Sequence, residues 1–315
     1  MARPLDRLAI RSACGSVLPS PDGEPHVAEA SALIQSPGFF APEVAPAAVQ
    51  WSSAAEFHFV SPVPSLWENN NVVRCRLVPA GRNWRERPTV ILLHGWNAEL
   101  QHQWLSPHWA RLLGRAGVNG VLFELPLHGA RRPRRPALIR NFLSGDLRHV
   151  MLATHQTLAE LRALALWLRA EGSPRVGLWG VSLGGWLAGL AAAHHPEIDL
   201  AVLVTPVVRM DRALHELPFC AEIRDELSGL HDEFRNLNLV EHRLLLPRER
   251  MLILAGQWDL FAAPDTVDEL EAAWGPEVWR RPQGHISMLM APGMMRRVAC
   301  WAKTKMAEPL GSAIP

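Results

Sequence analysis

The stretch Gly180-Val181-Ser182-Leu183-Gly184 sets one hydroxyl among small and apolar residues, straight after "RVGLW" and straight before "GWLAGLAAAHH". A serine oxygen attacks an acyl carbon once a base takes its proton and donors meet the oxyanion that forms. Glycines two before and two after such a serine let a strand and a helix approach closely around a strained turn, with the oxygen standing clear of the backbone. The amide of Leu183, at the start of the helix, can donate to the developing oxyanion and gains from the helix dipole. The reading requires a strand before the serine and a helix after it.

The flanking elements meet that requirement. "RVGLWG" reads as a buried strand and "WLAGLAAAHH" as a helix. Apolar strand runs at Thr89–Trp96, Asn119–Leu125, Leu200–Val208, Arg250–Gly256 and Pro276–Pro282 alternate with helical patterns. Alternation of this kind predicts an α/β fold around a mostly parallel, buried sheet with helices on both faces. One helix is expected with Ser106 as N-cap, Pro107 at its first position and Gly114 or Gly117 at its end. A long amphipathic helix is expected over Asp146–Gly172. Ahead of these, Ala55–Val60 and Asn71–Val78 predict an antiparallel pair at a sheet edge.

Residues 1–48, rich in proline and alanine, are read as an irregular extension, 49–306 as the catalytic domain and 307–315 as a tail. About forty residues between Val208 and Arg250 exceed what one crossover helix needs. They predict a small cap over 210–249, whose Leu214, Leu217, Phe219 and Leu230 would cover the sheet edge where ligands bind.

With strand, elbow serine and helix in this order, the chain resembles the α/β-hydrolase superfamily, in particular its serine esterases and lipases, from about Trp51 to Met306. The resemblance implies the α/β-hydrolase fold with a cap insertion. In that superfamily the strand before the first helix often ends in His-Gly and an oxyanion-hole residue. His94-Gly95-Trp96 fits, so the backbone amide of Trp96 is implied as the second oxyanion donor beside Leu183. The family order of serine, acid and histidine points to Asp259, in the loop after a strand, and to His285, in a glycine-bearing loop after the last strand. Asp265 and Asp268, which follow closely, and Asp211, which follows an earlier strand, are the alternative acids.

"ELPLHGARRPRR" resembles the Pro-x-x-Gly-x-Arg loop of one group of these hydrolases. Its Arg131, Arg132, Arg134 and Arg135 are the densest positive cluster in the chain. They are read either as a cradle for an anionic group of the substrate or as a solvated basic loop, with His128 structural. Trp96, Trp186, Trp258, Met288, Met290, Met294 and Met295 adjoin the motif residues and read either as pocket lining or as core.

Composition narrows the field further. In a chain of 315 residues with a formal net charge of +1, no long block of lysine and arginine resembles a nucleic-acid face, so no nucleic-acid partner is expected. Cys14, Cys75, Cys220 and Cys300 lie far apart and suggest neither a disulfide framework nor a zinc site. The N-terminal apolar run is too short for a signal-peptide core, and the uncharged run Val176–Ala193 is broken by glycines, so neither a leader nor a transmembrane segment is expected. The sequence therefore predicts a cytoplasmic serine hydrolase acting on a small-molecule acyl substrate, with no cofactor and no metal. Acyl transfer, thioester or amide hydrolysis on the same triad, and a non-catalytic binding module, remain as alternatives.

Overall fold

The computed structural model describes residues 2–133, 141–224 and 235–309. Arg134, Arg135 and Leu230 lie outside the described residues, as do the last six of the 307–315 tail.

A nine-stranded sheet organises the chain: β1 (Gln50–Trp51), β2 (Glu56–Val60), β3 (Val72–Val78), β4 (Thr89–Leu93), β5 (Asn119–Phe123), β6 (Val176–Val181), β7 (Leu200–Val204), β8 (Met251–Gly256) and β9 (Glu277–Arg281). Their spatial order is β1-β2-β3-β5-β4-β6-β7-β8-β9. Pairing is antiparallel from β1 to β5 and parallel from β5 to β9. Every residue of β4 to β8 is buried, which is why these strands read as continuous apolar runs; β3, nearer the edge, alternates.

Alternation within β4 shows the two helical layers. Ile91 and Leu93 face the core shared with α4 (Leu147–Ala170) and α5 (Leu183–His194). Val90 and Leu92 face α3 (Ser106–Arg115) and the last helix, Met294–Ala307. On that second face the rings of Trp109 and Trp179 stack with centroids 5.8 Å apart.

Three local expectations are corrected. Residues 1–48 are irregular only in part: α1 spans Ala2–Ala13 and α2 Val27–Gln35, with stretches outside helix and strand at 14–26 and 36–48. Asp6, Ala9, Ile10 and Ala13 fall on one face of α1 by helical spacing, and its Arg3, Arg7 and Arg11 are exposed. Ser106 does not cap α3, because the chain is already helical through Gln101–Leu105 and Ser106 has helical angles. The strand expected to reach Val208 stops at Val204, where Thr205 turns to φ 43° and Pro206 follows.

Candidate active site

The parallel register gathers the loops at one sheet edge. Leu93 pairs with Gly180 and Val181 with Val204, so the loop leaving β4 emerges beside the turn that holds Ser182. Ser182 has φ 53° and ψ −115°, a conformation that side chains avoid and that only a tightly determined turn sustains. The crowding explains the glycines. A Cβ on Gly184 would lie 2.5 Å from the His94 carbonyl oxygen, and one on Gly180 would overlap the Gly184 backbone. Leu183 opens α5, so no preceding helical turn accepts its amide.

The loop after β4 is held from both sides of Trp96. The Gly95 amide donates to Gln101 Oε1 at 3.0 Å, and the Asn97 amide donates to His128 Nε2 at 3.2 Å. His94 and His128 are both neutral spacers. His94 Nδ1 donates to the Gly95 carbonyl while its Nε2 accepts the Leu125 amide at 3.1 Å. His128 Nδ1 donates to the Pro126 carbonyl. Burial drives both imidazoles down, His128 to about 4, so that each keeps the lone pair its amide partner needs. Sequence reasoning gave His128 a structural role without its partner and missed Gln101 altogether; a glutamine six residues after the glycine of a His-Gly pair is no recognisable signal.

Asp259 and His285 meet although 26 residues separate them. His285 Nδ1 lies 2.8 and 3.0 Å from the two Asp259 oxygens, and Asp259 Oδ1 also accepts the amides of Phe261 and Ala262 at 2.8 and 2.9 Å. Burial pulls the His285 pKa down, but the Asp259 charge and hydrogen bond outweigh it and Asp6 adds to them, so the imidazole ends above its ordinary value. Asp211 is engaged elsewhere: Arg209 binds both its oxygens, at 3.0 and 2.7 Å.

A third carboxylate was not foreseen. Asp6, on α1, has no exposed surface and accepts the amides of His285 (2.8 Å), Ile286 (3.0 Å) and Leu260 (3.2 Å). No spacing rule links it to residues between 254 and 280 positions on.

Ser182 and His285 line one cavity of about 470 Å³, together with Trp96, Leu183, Leu217 and Phe219. An aromatic series crosses it: Trp96 to Phe219 at 5.0 Å between centroids, Phe219 to Phe261 at 6.1 Å, and Phe261 to His285 at 4.6 Å. The expected cap contributes α6 (Met210–Glu216) and the turn Pro218–Ile223, with Met210, Leu214 and Cys220 on the wall. From the other end of the chain, α1 adds Ala9, Ser12 and Ala13. Trp186 is core instead, its Nε1 donating to the Leu237 carbonyl at 2.6 Å; Met288, Met294 and Met295 are core on the opposite face, while Trp258 and Met290 are exposed.

The arginine loop does not form an anion cradle at Arg131. Its guanidinium is wholly buried, bidentate to Glu160 of α4 at 2.8 and 2.6 Å, and bonded to the carbonyls of Asn70 and Glu124. All its donors face protein, so it ties the loop to α4 instead of meeting substrate. Arg132 is partly exposed and pairs with Glu99 at 2.8 Å while donating to Asn97 Oδ1. Neither is among the described residues that line the cavity. The four cysteines are free thiols. Among the described residues no helix is long and apolar enough to cross a membrane.

Comparison with known proteins follows the same outline. A family model described as "Alpha/beta hydrolase domain containing 18" matches residues 44–220, which takes in Ser182 and the loop after β4 and stops before Asp259. An uncharacterized protein of Mycobacterium tuberculosis is 28% identical over 230 residues, covering 69% of this chain and 54% of that protein. The chain thus spans about half the length of the curated relatives it matches. Among solved structures, an esterase of Pyrococcus furiosus is similar with a TM-score of 0.57 at 18% identity, over 84% of this chain and 99% of the other. The 2,6-dihydroxy-pseudo-oxynicotine hydrolase is similar with a TM-score of 0.55 at 16% identity, over 83% and 68%. At these identities the likeness is one of fold, and it establishes the mostly parallel α/β-hydrolase architecture.

Proposed function

The chain belongs to the alpha/beta hydrolase domain containing 18 family, and from that premise we propose that it is a serine hydrolase cleaving a carboxylic ester or related acyl bond through an acyl-enzyme. The observation that carries this reading is that one cavity is lined both by a serine in a strained elbow and by a buried histidine paired to a carboxylate.

In the proposed reaction His285 Nε2 takes the Ser182 proton as Oγ attacks the acyl carbon. Asp259 holds the Nδ1 proton in place, which fixes the tautomer and stabilises the imidazolium. The carbonyl oxygen gains charge and is met by the amides of Leu183 and Trp96, the latter on a loop whose neighbouring amides are already committed. Collapse of the tetrahedral adduct expels the alkoxide, which leaves with the proton from His285. Water then attacks the acyl-enzyme with His285 again as base, releasing the acid and restoring the Ser182 hydroxyl. The aromatic and aliphatic walls favour an uncharged, apolar acyl group.

Covalent labelling by a fluorophosphonate, with loss of label in Ser182→Ala, tests the reading. Equal labelling of wild type and variant would overturn it.

A further inference from the structure

We propose that Asp6 is a positioning residue for His285, brought into the site by α1, so that the N-terminal helix is a working part of the active centre. The inference deepens the serine-hydrolase reading above and rests on it.

The loops that carry Asp259 and His285 leave different strands, β8 and β9, and their side chains must hold a fixed separation for the imidazole to stay aligned. Asp6 spans both loops. Its Oδ2 accepts the amide of Leu260, next to the acid, and the amide of His285 itself; its Oδ1 accepts the amide of Ile286. A carboxylate with no exposed surface that holds three backbone donors from two loops fixes their relative position. Gly284 shows that the approach is built in. A Cβ at that position would lie 2.5 Å from Asp6 Oδ2, so the residue before His285 must lack a side chain for the carboxylate to reach its amides.

Asp6 also acts by charge. Asp259 from the β8 loop and Asp6 from α1 are the acidic groups that act on the imidazole, while Arg3, Arg7 and Arg11 of α1 are exposed. Two buried carboxylates near the ring, Asp259 at Nδ1 and Asp6 at the backbone amide, favour the imidazolium that forms when Ser182 gives up its proton. The same helix places Ala9, Ser12 and Ala13 on the cavity wall, so the group that positions the base and part of the substrate surface arrive together. Residue 6 precedes the region matched by the family model, which begins at residue 44.

The test is Asp6→Asn in the full chain, with Leu8→Ala, on the exposed side of α1, as control. The amide turns an NH2 toward backbone donors and removes the charge. The expected result is a fall in kcat of about 100-fold, in line with misplacing a base by around an ångström, with KM little changed. The acidic limb of kcat/KM should move to lower pH, and the His285 imidazole titration, followed by NMR without substrate, should move the same way. Gly284→Ala, which displaces the carboxylate but keeps its charge, should reproduce the fall in kcat and leave most of the titration shift out. Asp6→Glu, which keeps the charge but alters its reach, should lower kcat and leave the titration near that of wild type. A titration unmoved in Asp6→Asn, or a loss of activity merely proportional to loss of folded protein, overturns the proposal. If Ser182→Ala keeps full turnover while Asp6→Asn still shifts the imidazole, the hydrolase reading fails and the positioning role stands.

Discussion

Arg131 and Glu160 form a bidentate ion pair, at 2.8 and 2.6 Å, in which neither side chain reaches solvent. Removing one partner from such a pair leaves an uncompensated buried charge and costs about 3–5 kcal/mol. Arg131→Gln should therefore lower the unfolding midpoint strongly while KM for neutral and anionic esters stays the same in the protein that remains folded. Thermal melts beside a two-substrate kinetic comparison check it; a selective rise in KM for the anionic ester would return Arg131 to the substrate site.

Ser182→Ala and His285→Ala should each reduce turnover on the order of a million-fold, and the double variant little further, because nucleophile and base act as one unit. Asp259→Asn should cost roughly ten-thousand-fold by favouring the wrong imidazole tautomer. Asp211→Asn should cost far less, since Arg209 rather than His285 holds that carboxylate. Steady-state rates on a short-chain ester settle the order.

Activity and stability should respond to acid through different histidines. His285 is raised above its ordinary value, so kcat/KM should climb with pH through an apparent pKa above 6.5 as the base loses its proton. His128 is depressed to about 4, so between 6.5 and 4 the unfolded chain binds a proton that the folded chain refuses. Stability should be full above 6.5 and fall as pH drops toward 4, with His128 acting beside the other histidines that burial lowers, among them His94, His102, His149 and His195. Denaturant midpoints across that window measure the fall, and a flat profile would contradict the neutral His128 that anchors Asn97.

The chain-length profile should follow the wall between α6 and Trp96. Leu217→Ala and Phe219→Ala enlarge the cavity, so both should shift preference toward longer acyl groups, Phe219→Ala more because it also breaks the aromatic contact with Trp96. A panel of neutral esters from two to twelve carbons reads the shift; a uniform change across the panel would remove these residues from the acyl site.

What was legible in the sequence follows from where the physical signal lies. The strands β4 to β8 are buried on both faces and so write themselves as unbroken apolar runs, and the elbow carries its glycines because backbone must pass backbone there. Asp259 and His285 could be singled out only through the order of a known family. Asp6 was invisible because its partners are three amides, and amides have no letter in a sequence. Arg131 was misjudged from its neighbours: four arginines close together read as a wet loop. Glu160 gave no contrary sign: in "TLAELRALALWL" it stands two residues from Arg162 and reads as the polar part of an amphipathic helix, so its burial against Arg131 shows only in the fold.

Ser182 gives the molecule an asymmetry between durability and reactivity. At φ 53° and ψ −115° a side chain costs of order 1–3 kcal/mol, whereas glycine takes such angles freely. Ser182→Gly should accordingly melt later than wild type and Ser182→Ala should not, although both lose the hydroxyl. On the hydrolase reading proposed above, the sturdier chain is therefore also the inert one, and the strain at residue 182 is stability given up for a hydroxyl that stands clear of the backbone.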